Sequence, residues 1–191
     1  MFDHFDWIAP IYDRIVRLPV PKRFHELLKL PESGTLLDAG GGTGRVASRL
    51  NASAASRLVV SDLSLPMLKQ SRILHGLHAV RARSEQLPFA DATFDRVIAV
   101  DAFHHFFDQR TAIREFVRVL KPEGRLVIEE PDRDRLIVRM LAVAEKMILM
   151  RSRIHSMKEI LTMVAAEGMT ACIERGSGFA SWVIADKQRP F

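Results

Sequence analysis

The stretch T-L-L-D-A-G-G-G-T-G, residues 35–44, predicts the fold of this chain. Its first three residues indicate the end of a short buried strand, and the glycines after the aspartate indicate a sharp turn. Residues 45–50, R-V-A-S-R-L, then show the spacing of a helix with one apolar face. A strand, a glycine turn and a helix in this order form the first half of a nucleotide-binding βαβ unit. Glycine suits such a turn because the backbone bends sharply and a ligand must approach it closely.

The spacing of the acid and the glycines separates two classes of cofactor. The dinucleotide pattern G-x-G-x-x-G/A fits only when it is forced onto Gly42, Gly44 and Ala47. The pattern D-x-G-x-G-x-G starts at Asp38 and fits Gly40, Gly42 and Gly44 directly. An anionic side chain before the glycines would repel a pyrophosphate, whereas it suits a cationic amino-acid end and a sulfonium. This motif resembles the first motif of the Rossmann-like, or class I, S-adenosylmethionine-dependent methyltransferases.

Length and composition indicate a single domain over residues 1–191 with an ordinary globular balance of apolar and charged residues. No apolar run approaches the roughly 18 residues that a membrane span needs. The acidic, aromatic start of the chain is not typical of a signal peptide. Cys172 is the only cysteine, which excludes an intrachain disulfide and favours a cytoplasmic location. The net charge of +5 suits anionic ligands, anionic lipid or RNA, and equally a solvated basic surface.

Residues 1–30 have helical periodicity interrupted by prolines, which predicts an N-terminal helical cover for the sheet. Within this segment, F-D-x-I-A-x-x-Y-D runs from Phe5 to Asp13. That pattern resembles the opening of the ubiquinone/menaquinone C-methyltransferase-like group, in which the tyrosine helps to close the cofactor site. The resemblance assigns this role to Tyr12.

Residues 57–61, R-L-V-V-S, predict a second strand that ends at Asp62, 18 residues beyond Gly44. Nucleotide-binding folds hold ribose hydroxyls with an acid at this place, because one carboxylate accepts two hydrogen bonds from a cis-diol. The alternative is that Asp62 caps the following helix, although Ser64 can do so equally well. The same acid serves NAD and S-adenosylmethionine, so it does not separate the two.

The run R-S-E-Q-L-P-F-A-D-A-T-F-D-R-V, residues 83–97, follows a predicted third strand at residues 78–82. It resembles the methyltransferase pattern G-D-A-E-x-L-P-F-x-D-x-x-F-D-x-V. Arg83 and Ser84 depart from that pattern, where the family has Asp-Ala and the aspartate accepts from the adenine amino group. Arginine has no hydrogen-bond acceptor. We therefore expect either a backbone carbonyl to read the amine or Arg83 to stack on the ring.

The predicted fourth strand, residues 96–100, ends in D-A-F-H-H-F-F. We expect His104 and His105 to point to opposite sides of an extended chain, so the pair does not predict a metal site. The segment resembles the A-x-H-H-F run that lines the cofactor and substrate crevice of the family. Asp101, His104 and His105 are candidate bases, and none stands out. No N/D-P-P-Y follows this strand, which argues against methylation of DNA bases.

The rest of the chain predicts a helix, a Pro-Glu-Gly turn at residues 122–124 and a fifth strand, in a run similar to E-x-x-R-V-L-K-P-G-G-x-L-x-I of the family. Residues 132–155 combine a methionine-containing apolar stripe with six basic residues, which fits a surface helix or a lid. A helix starting at Ser156 and two strands joined by R-G-S-G complete the chain; so short a link predicts an antiparallel hairpin. We expect an α/β fold, a Rossmann-like, doubly wound and mostly parallel seven-stranded sheet that ends in this hairpin, with helices on both faces.

Taken with the resemblance, these features indicate S-adenosylmethionine-dependent methyl transfer to a small, hydrophobic or aromatic molecule. A non-catalytic nucleotide-binding partner subunit with the same fold is the alternative, and an NAD-linked oxidoreductase is disfavoured by Asp38 and the hairpin. The basic residues around the possible lid would also suit peripheral contact with an anionic membrane surface. The oligomeric state is left open, and no metal is expected. The residues expected to bind the cofactor are Tyr12, Asp38, Gly40, Gly42, Thr43, Asp62, Leu63, Arg83, Ser84 and Val100.

Overall fold

The computed structural model describes residues 22–50, 57–75, 77–131, 153, 155–176 and 180–189. The strands within these ranges are β1 (Thr35–Ala39), β2 (Arg57–Asp62), β3 (His78–Arg81), β4 (Phe94–Val100), β5 (Leu120–Pro131), β6 (Thr170–Arg175) and β7 (Ala180–Asp186). The α-helices are α1 (Lys22–Leu28), α2 (Arg45–Leu50), α3 (Leu65–His75), α4 (Gln109–Val119) and α5 (Met157–Ala166).

In the described part of the chain, the seven strands form one sheet in the order β3-β2-β1-β4-β5-β7-β6. The first five strands pair in parallel. β7 runs antiparallel to both β5 and β6 and lies between them. The predicted mostly parallel sheet with a terminal antiparallel hairpin is therefore confirmed. The chain order reverses between β1 and β4, so the carboxyl ends of these strands border a crevice, which is the usual ligand site of such sheets.

Helices cover both faces of the sheet, as predicted, and each face has its own apolar core. Leu36 and Leu37 are neighbours on β1, and they belong to opposite cores because successive strand residues alternate between faces. The core around Leu36 includes α1, α2 and α3, and the core around Leu37 includes α4 and α5. Phe24 and Phe116 are fully buried on the two sides. Burying one such side chain contributes about 1.5–3 kcal/mol, so these residues fix the helices to the sheet.

Two element boundaries differ from the sequence-based expectation. β4 begins at Phe94 rather than at residue 96. β5 begins at Leu120, so the predicted Pro-Glu-Gly turn is wrong: the segment is an irregularity inside the strand. The pairing jumps from Phe94–Leu120 to Arg96–Arg125, which leaves extra residues on β5. Glu123 there has φ +63°, and the family pattern has glycine at this position.

The start of α5 agrees with the prediction. The Ser156 side chain accepts from the amide of Glu159, and the Glu159 side chain accepts from the amide of Ser156. This reciprocal capping box satisfies two amides that have no partner within the helix. Gly168 follows the end of the helix with φ +78°, a conformation that glycine adopts without steric cost.

Two predicted segments fall mostly outside the described residues. Of the N-terminal cover, the structure describes only α1 and the residues after it, so Tyr12 is not included. Of the segment 132–155, it describes only Arg153 and His155. Among the described helices, none combines the length and the apolar character that crossing a membrane requires.

Candidate functional site

A cleft opens where the carboxyl ends of β1, β2, β3 and β4 meet, with about 1030 Å³ of empty space that is continuous with solvent. Every residue expected at the cofactor site borders this cleft, apart from Tyr12, which lies outside the described residues. The structure brings nine of them together here: Asp38, Gly40, Gly42, Thr43, Asp62, Leu63, Arg83, Ser84 and Val100. Their roles in binding stay predictions, and their placement around one cleft is what the structure adds.

The glycine turn forms the floor of the cleft and depends on glycine for two different reasons. Gly40 has φ +72°, and a Cβ on it would lie 2.8 Å from the Cβ of Ala102. Gly42 has φ +55°, and a Cβ on it would meet no atom closer than 4.0 Å. At residue 40, glycine thus allows β1 to pack against the segment after β4. At residue 42, it leaves open space above the turn.

Asp38 lies beneath this turn, where it is 1% exposed. A Cβ on residue 41 would lie only 2.5 Å from Cγ of Asp38, so the turn wraps closely over the carboxylate. The amide of Ala47 hydrogen-bonds to this carboxylate, but Oδ2 has no hydrogen-bond partner among the described residues. Burial is the main cause that raises the pKa of Asp38 to about 7, and the negative charge of Asp62 adds to it.

Asp62 ends β2 and faces the same turn. Its Oδ2 accepts a hydrogen bond from the amide of Gly42 at 2.9 Å, and its Oδ1 accepts from the amide of Ser64 at 2.8 Å. The side chain of Ser64 in turn accepts from the amide of Met67 at 3.3 Å, within the first turn of α3. Ser64 therefore caps this helix, and the carboxylate of Asp62 stays at the edge of the cleft.

The loop after β3 forms one side wall of the cleft. Oε1 of Glu85 accepts hydrogen bonds from the amides of Phe107 and Asp108 at 2.7 and 3.1 Å, which ties this loop to the segment after β4. The guanidinium of Arg83 lies 5.9 Å from the centroid of the Phe107 ring, and its Nε lies 3.8 Å from Oε2 of Glu85. Arg83 is thus the cationic part of a wall whose apolar part is Phe107.

Asp101 follows β4 directly and borders the cleft. It has φ +50°, which is uncommon for a residue with a side chain and is held in place by its surroundings. Its amide donates to the carbonyl of Glu129 at 3.1 Å. Burial raises the pKa of Asp101, and the nearby Glu130 raises it further. Of the three candidate bases, Asp101 combines a place in the cleft with a raised carboxyl pKa.

The two adjacent histidines do not lie in an extended chain, so the expectation that they point to opposite sides is wrong. Residues Phe103–His105 form a 3₁₀ turn, and the two imidazole rings lie 3.9 Å apart. His105 borders the cleft, whereas His104 is 9% exposed and is not among the residues that line it. Burial, together with the neighbouring His104, lowers the pKa of His105 to about 3, so this imidazole is neutral at physiological pH.

Sequence reasoning missed two acids that pack behind the cleft, Glu129 and Glu130. Glu130 is 1% exposed and pairs with His104, and Glu129 accepts from Nε1 of Trp182 at 2.6 Å. Burial raises the pKa of Glu129 to about 7. The signal in the sequence was a pair of acids at the end of an apolar run, L-V-I-E-E, because acids that end a buried parallel strand reach the ligand edge of the sheet.

Within the described residues, no group of three or more histidine, cysteine or acidic side chains is placed to hold a metal ion.

The chain is similar in sequence to known methyltransferases. Residues 37–128 match the family model described as a methyltransferase domain. The chain is 35% identical over 105 residues to the ubiquinone/menaquinone biosynthesis C-methyltransferase UbiE of Klebsiella pneumoniae, covering 50% of this chain and 42% of that protein. It is 35% identical over 139 residues to the protein of the same name from Syntrophotalea carbinolica, covering 66% and 59%. The chain therefore spans about half the length of these curated relatives.

Solved structures agree on the fold. The complex of the Haloferax volcanii Trm112 methyltransferase activator with a methyltransferase contains a chain that superposes with a TM-score of 0.82 at 17% identity, over 99% of this chain and 100% of that one. The [4+2]-cyclase SpnF superposes with a TM-score of 0.78 at 18% identity, over 96% and 93%. The methyl donor of the matched family is S-adenosylmethionine. The match over residues 37–128 and the fold shared with solved methyltransferase structures make the chain similar to the class I S-adenosylmethionine-dependent methyltransferases, and in sequence to the UbiE group.

Proposed function

We propose that this chain transfers the methyl group of S-adenosylmethionine to a small, hydrophobic and aromatic acceptor. The observation that carries the proposal is the buried carboxylate of Asp38, whose Oδ2 has no hydrogen-bond partner within the described residues. Leaving a buried polar atom without a partner costs about 1–3 kcal/mol. A cation that enters the cleft above the glycine turn would remove this cost.

The residues present fit this cofactor. Asp38 provides negative charge beneath the turn for the ammonium of the amino-acid end, and Gly42 leaves room above the turn because a Cβ there would project into open space. Asp62 provides carboxylate oxygens at the cleft edge for the ribose hydroxyls. Asp38 does not suit a pyrophosphate, which a carboxylate beneath the turn would repel, whereas Asp62 could serve either cofactor. NAD is therefore not the expected ligand.

When bound, the cofactor supplies an electrophilic methyl group on its sulfonium. The work left to this chain is to orient an acceptor, to exclude water and to take up a proton where the acceptor must lose one. We assign the proton to the carboxylate of Asp101, which borders the cleft and has a raised pKa. The neutral imidazole of His105 can accept a hydrogen bond from the molecule that receives the methyl group. His104 is a positioning residue, since it contacts Glu130 rather than the cleft.

The hydrophobic nature of the acceptor rests on the lining beside Asp101. Val100, Ala102 and Phe106 contribute apolar surface there, and aromatic rings stack well on a flat apolar ligand. The named relatives belong to ubiquinone and menaquinone biosynthesis, which agrees with an aromatic acceptor. The suggested lid at residues 132–155 stays a prediction, as do the single domain over residues 1–191, a peripheral membrane contact and a cytoplasmic location.

The test is methyl transfer from S-adenosylmethionine that carries a ¹³C-labelled methyl group, with a panel of phenols and hydroquinones as acceptors and mass spectrometry as the readout. We expect a labelled product from at least one acceptor. We also expect Asp101→Asn to lower kcat by about a hundredfold or more, the usual contribution of a general base, with little change in KM. Asp91→Asn, on an exposed surface side chain, is the matched control.

A non-catalytic partner subunit is the competing function. Such a protein would bind S-adenosylhomocysteine in the same cleft, yet it would label no acceptor, and Asp101→Asn would change nothing measurable. Cofactor binding without any labelled product across the panel would therefore contradict methyl transfer.

A further inference from the structure

We propose that this chain recognises the purine of its cofactor through the Arg83–Phe107 wall and without a hydrogen bond from the 6-amino group, so that it also binds cofactor analogues that lack this amine. The inference rests on the proposed function and adds a property of the base-binding end of the cleft. The inference is specific to this chain, because the family pattern has an aspartate where Arg83 stands.

The position of the purine follows from that of the ribose. Asp62 is the proposed ribose ligand, and the base is joined directly to the ribose ring. The base therefore occupies the part of the cleft next to Asp62, which is built by Leu63, by the 82–85 loop and by Phe107. Leu63 and Phe107 are 47% and 71% exposed, which is unusual for large apolar side chains and leaves both available to cover a flat ring.

Arg83 offers hydrogen-bond donors at a position where the family pattern offers an acceptor. A guanidinium carries only donors, and the 6-amino group of adenine is also a donor. The two groups therefore cannot bond to each other, whereas Arg83 can donate to a ring nitrogen or stack on the ring face. The guanidinium already lies over the Phe107 ring, with its Cζ 5.9 Å from the ring centroid, which is within the range of a cation–π contact.

The carboxylates of the cleft do not replace the missing acceptor. Among the described lining residues they are Asp38, Asp62, Glu85 and Asp101. Asp38 lies beneath the glycine turn, Asp62 bonds to the amides of Gly42 and Ser64, and Asp101 lies at the end of β4. Glu85 is the only one at the base-binding end. Its Oε1 accepts from two amides, and its Oε2 faces Arg83 at 3.8 Å.

The experiment compares two ligands by isothermal titration calorimetry on the full chain, S-adenosylhomocysteine and its 6-deamino analogue, in which hydrogen replaces the amino group. The ring nitrogens are unchanged, so the comparison isolates the amine. We expect the dissociation constants to agree within threefold. A site that bonds the amine to a charged acceptor would instead prefer the adenine ligand by about ten- to a hundredfold.

Two substitutions test whether Arg83 contributes to the binding of both ligands. Arg83→Ala should weaken both ligands equally, by about two- to fivefold, because a cation–π contact at an exposed site is worth about that much. Arg83→Asp should create a preference for the amino ligand of at least threefold by restoring an acceptor. Arg110→Ala, at an exposed position of α4, is the control and should change neither affinity.

The outcomes separate this inference from the function on which it rests. A preference above threefold for the amino ligand in the unsubstituted protein overturns the inference and leaves methyl transfer intact. An Arg83→Ala variant with unchanged affinity for both ligands also overturns it, because Arg83 then takes no part. If neither ligand binds, both the inference and the proposed function fail.

Discussion

Nδ1 of His104 lies 2.6 Å from Oε2 of Glu130, and both side chains are buried. The other oxygen of the same carboxylate accepts hydrogen bonds from the amides of Phe103 and His104, at 2.8 and 3.3 Å. One carboxylate on β5 therefore holds the 3₁₀ turn that brings His105 to the cleft. The proposed acceptor side of the site depends on a residue that does not line it.

Replacing Glu130 by alanine should lower the free energy of unfolding by about 3–5 kcal/mol, because the change removes a buried carboxylate that pairs with an imidazole and accepts from two amides. Glu130→Gln should cost less, since its amide oxygen can still accept from the two backbone amides. Urea denaturation measures both, with the exposed Glu26→Ala as the control. Equal stabilities of the alanine variant and the unsubstituted protein would show that the contact has no structural role.

The sheet, and the placement of nine expected residues around one cleft, could be predicted because both follow from local patterns. The glycine turn lies between an apolar strand and an amphipathic helix in the sequence, and Asp62 ends an apolar run 18 residues beyond Gly44. The acceptor end could not be predicted in the same way. Glu130 meets His104 across 26 residues, and no spacing rule connects a strand end to a 3₁₀ turn.

Backbone conformation explains two further misses. The sequence D-A-F-H-H suggested extended chain, but Asp101 has φ +50° and turns the chain into the 3₁₀ segment. The sequence P-E-G at residues 122–124 suggested a turn, but the irregular pairing of β5 with β4 keeps Glu123 within a strand. Both conformations are set by long-range packing, which a local pattern does not contain.

Ligand binding should release a proton at Asp38. In the free protein the pKa of Asp38 is raised to about 7, so the group is largely protonated at pH 6. An ammonium bound beside it favours the ionised form and lowers this pKa. We therefore expect the affinity for S-adenosylhomocysteine to be constant above pH 7.5 and to fall toward about tenfold per pH unit below pH 6.5.

Calorimetry at pH 6 in buffers of different ionisation enthalpy measures the released proton directly, and we expect nearly one per ligand. Asp38→Asn cannot titrate, so its binding should be weaker at pH 8 and independent of pH between 6 and 8. The pKa of Glu129 is also about 7, but Glu129 is not among the residues that line the cleft, and Glu129→Gln should keep the pH dependence. Unchanged pH dependence in Asp38→Asn would contradict this assignment.

Relief of backbone strain should make Glu123→Gly more stable. Residue 123 has φ +63°, a conformation that costs a residue with a Cβ about 1–2 kcal/mol and that glycine adopts without this cost. The greater conformational freedom of glycine in the unfolded chain offsets part of the stabilisation. The ion pair with Arg189 is exposed and contributes little. We expect a net gain of about 0.5–1 kcal/mol by thermal denaturation. Glu123→Val should destabilise, and a stabilised valine variant would show that strain is not the cause.

Asp62→Ala should weaken S-adenosylhomocysteine binding by about ten- to a hundredfold, because hydrogen bonds to a charged group are each worth about 1.5–3 kcal/mol. Asp62→Asn should weaken binding less, since its amide oxygen can still accept a hydrogen bond from the amide of Gly42 or from a ribose hydroxyl. Calorimetry gives both constants, and the exposed Asp91→Ala is the control. Full affinity in Asp62→Ala would remove this residue from the site.

A crystal structure with S-adenosylhomocysteine would show whether the cleft above the glycine turn holds the cofactor in the proposed orientation. We expect the ribose hydroxyls within about 3.2 Å of the Asp62 carboxylate, the amino-acid end above Gly42 on the side of Asp38, and the purine against Arg83 and Phe107. A ligand that binds away from the glycine turn, or one whose ribose makes no contact with Asp62, would rule out the proposed binding of the cofactor.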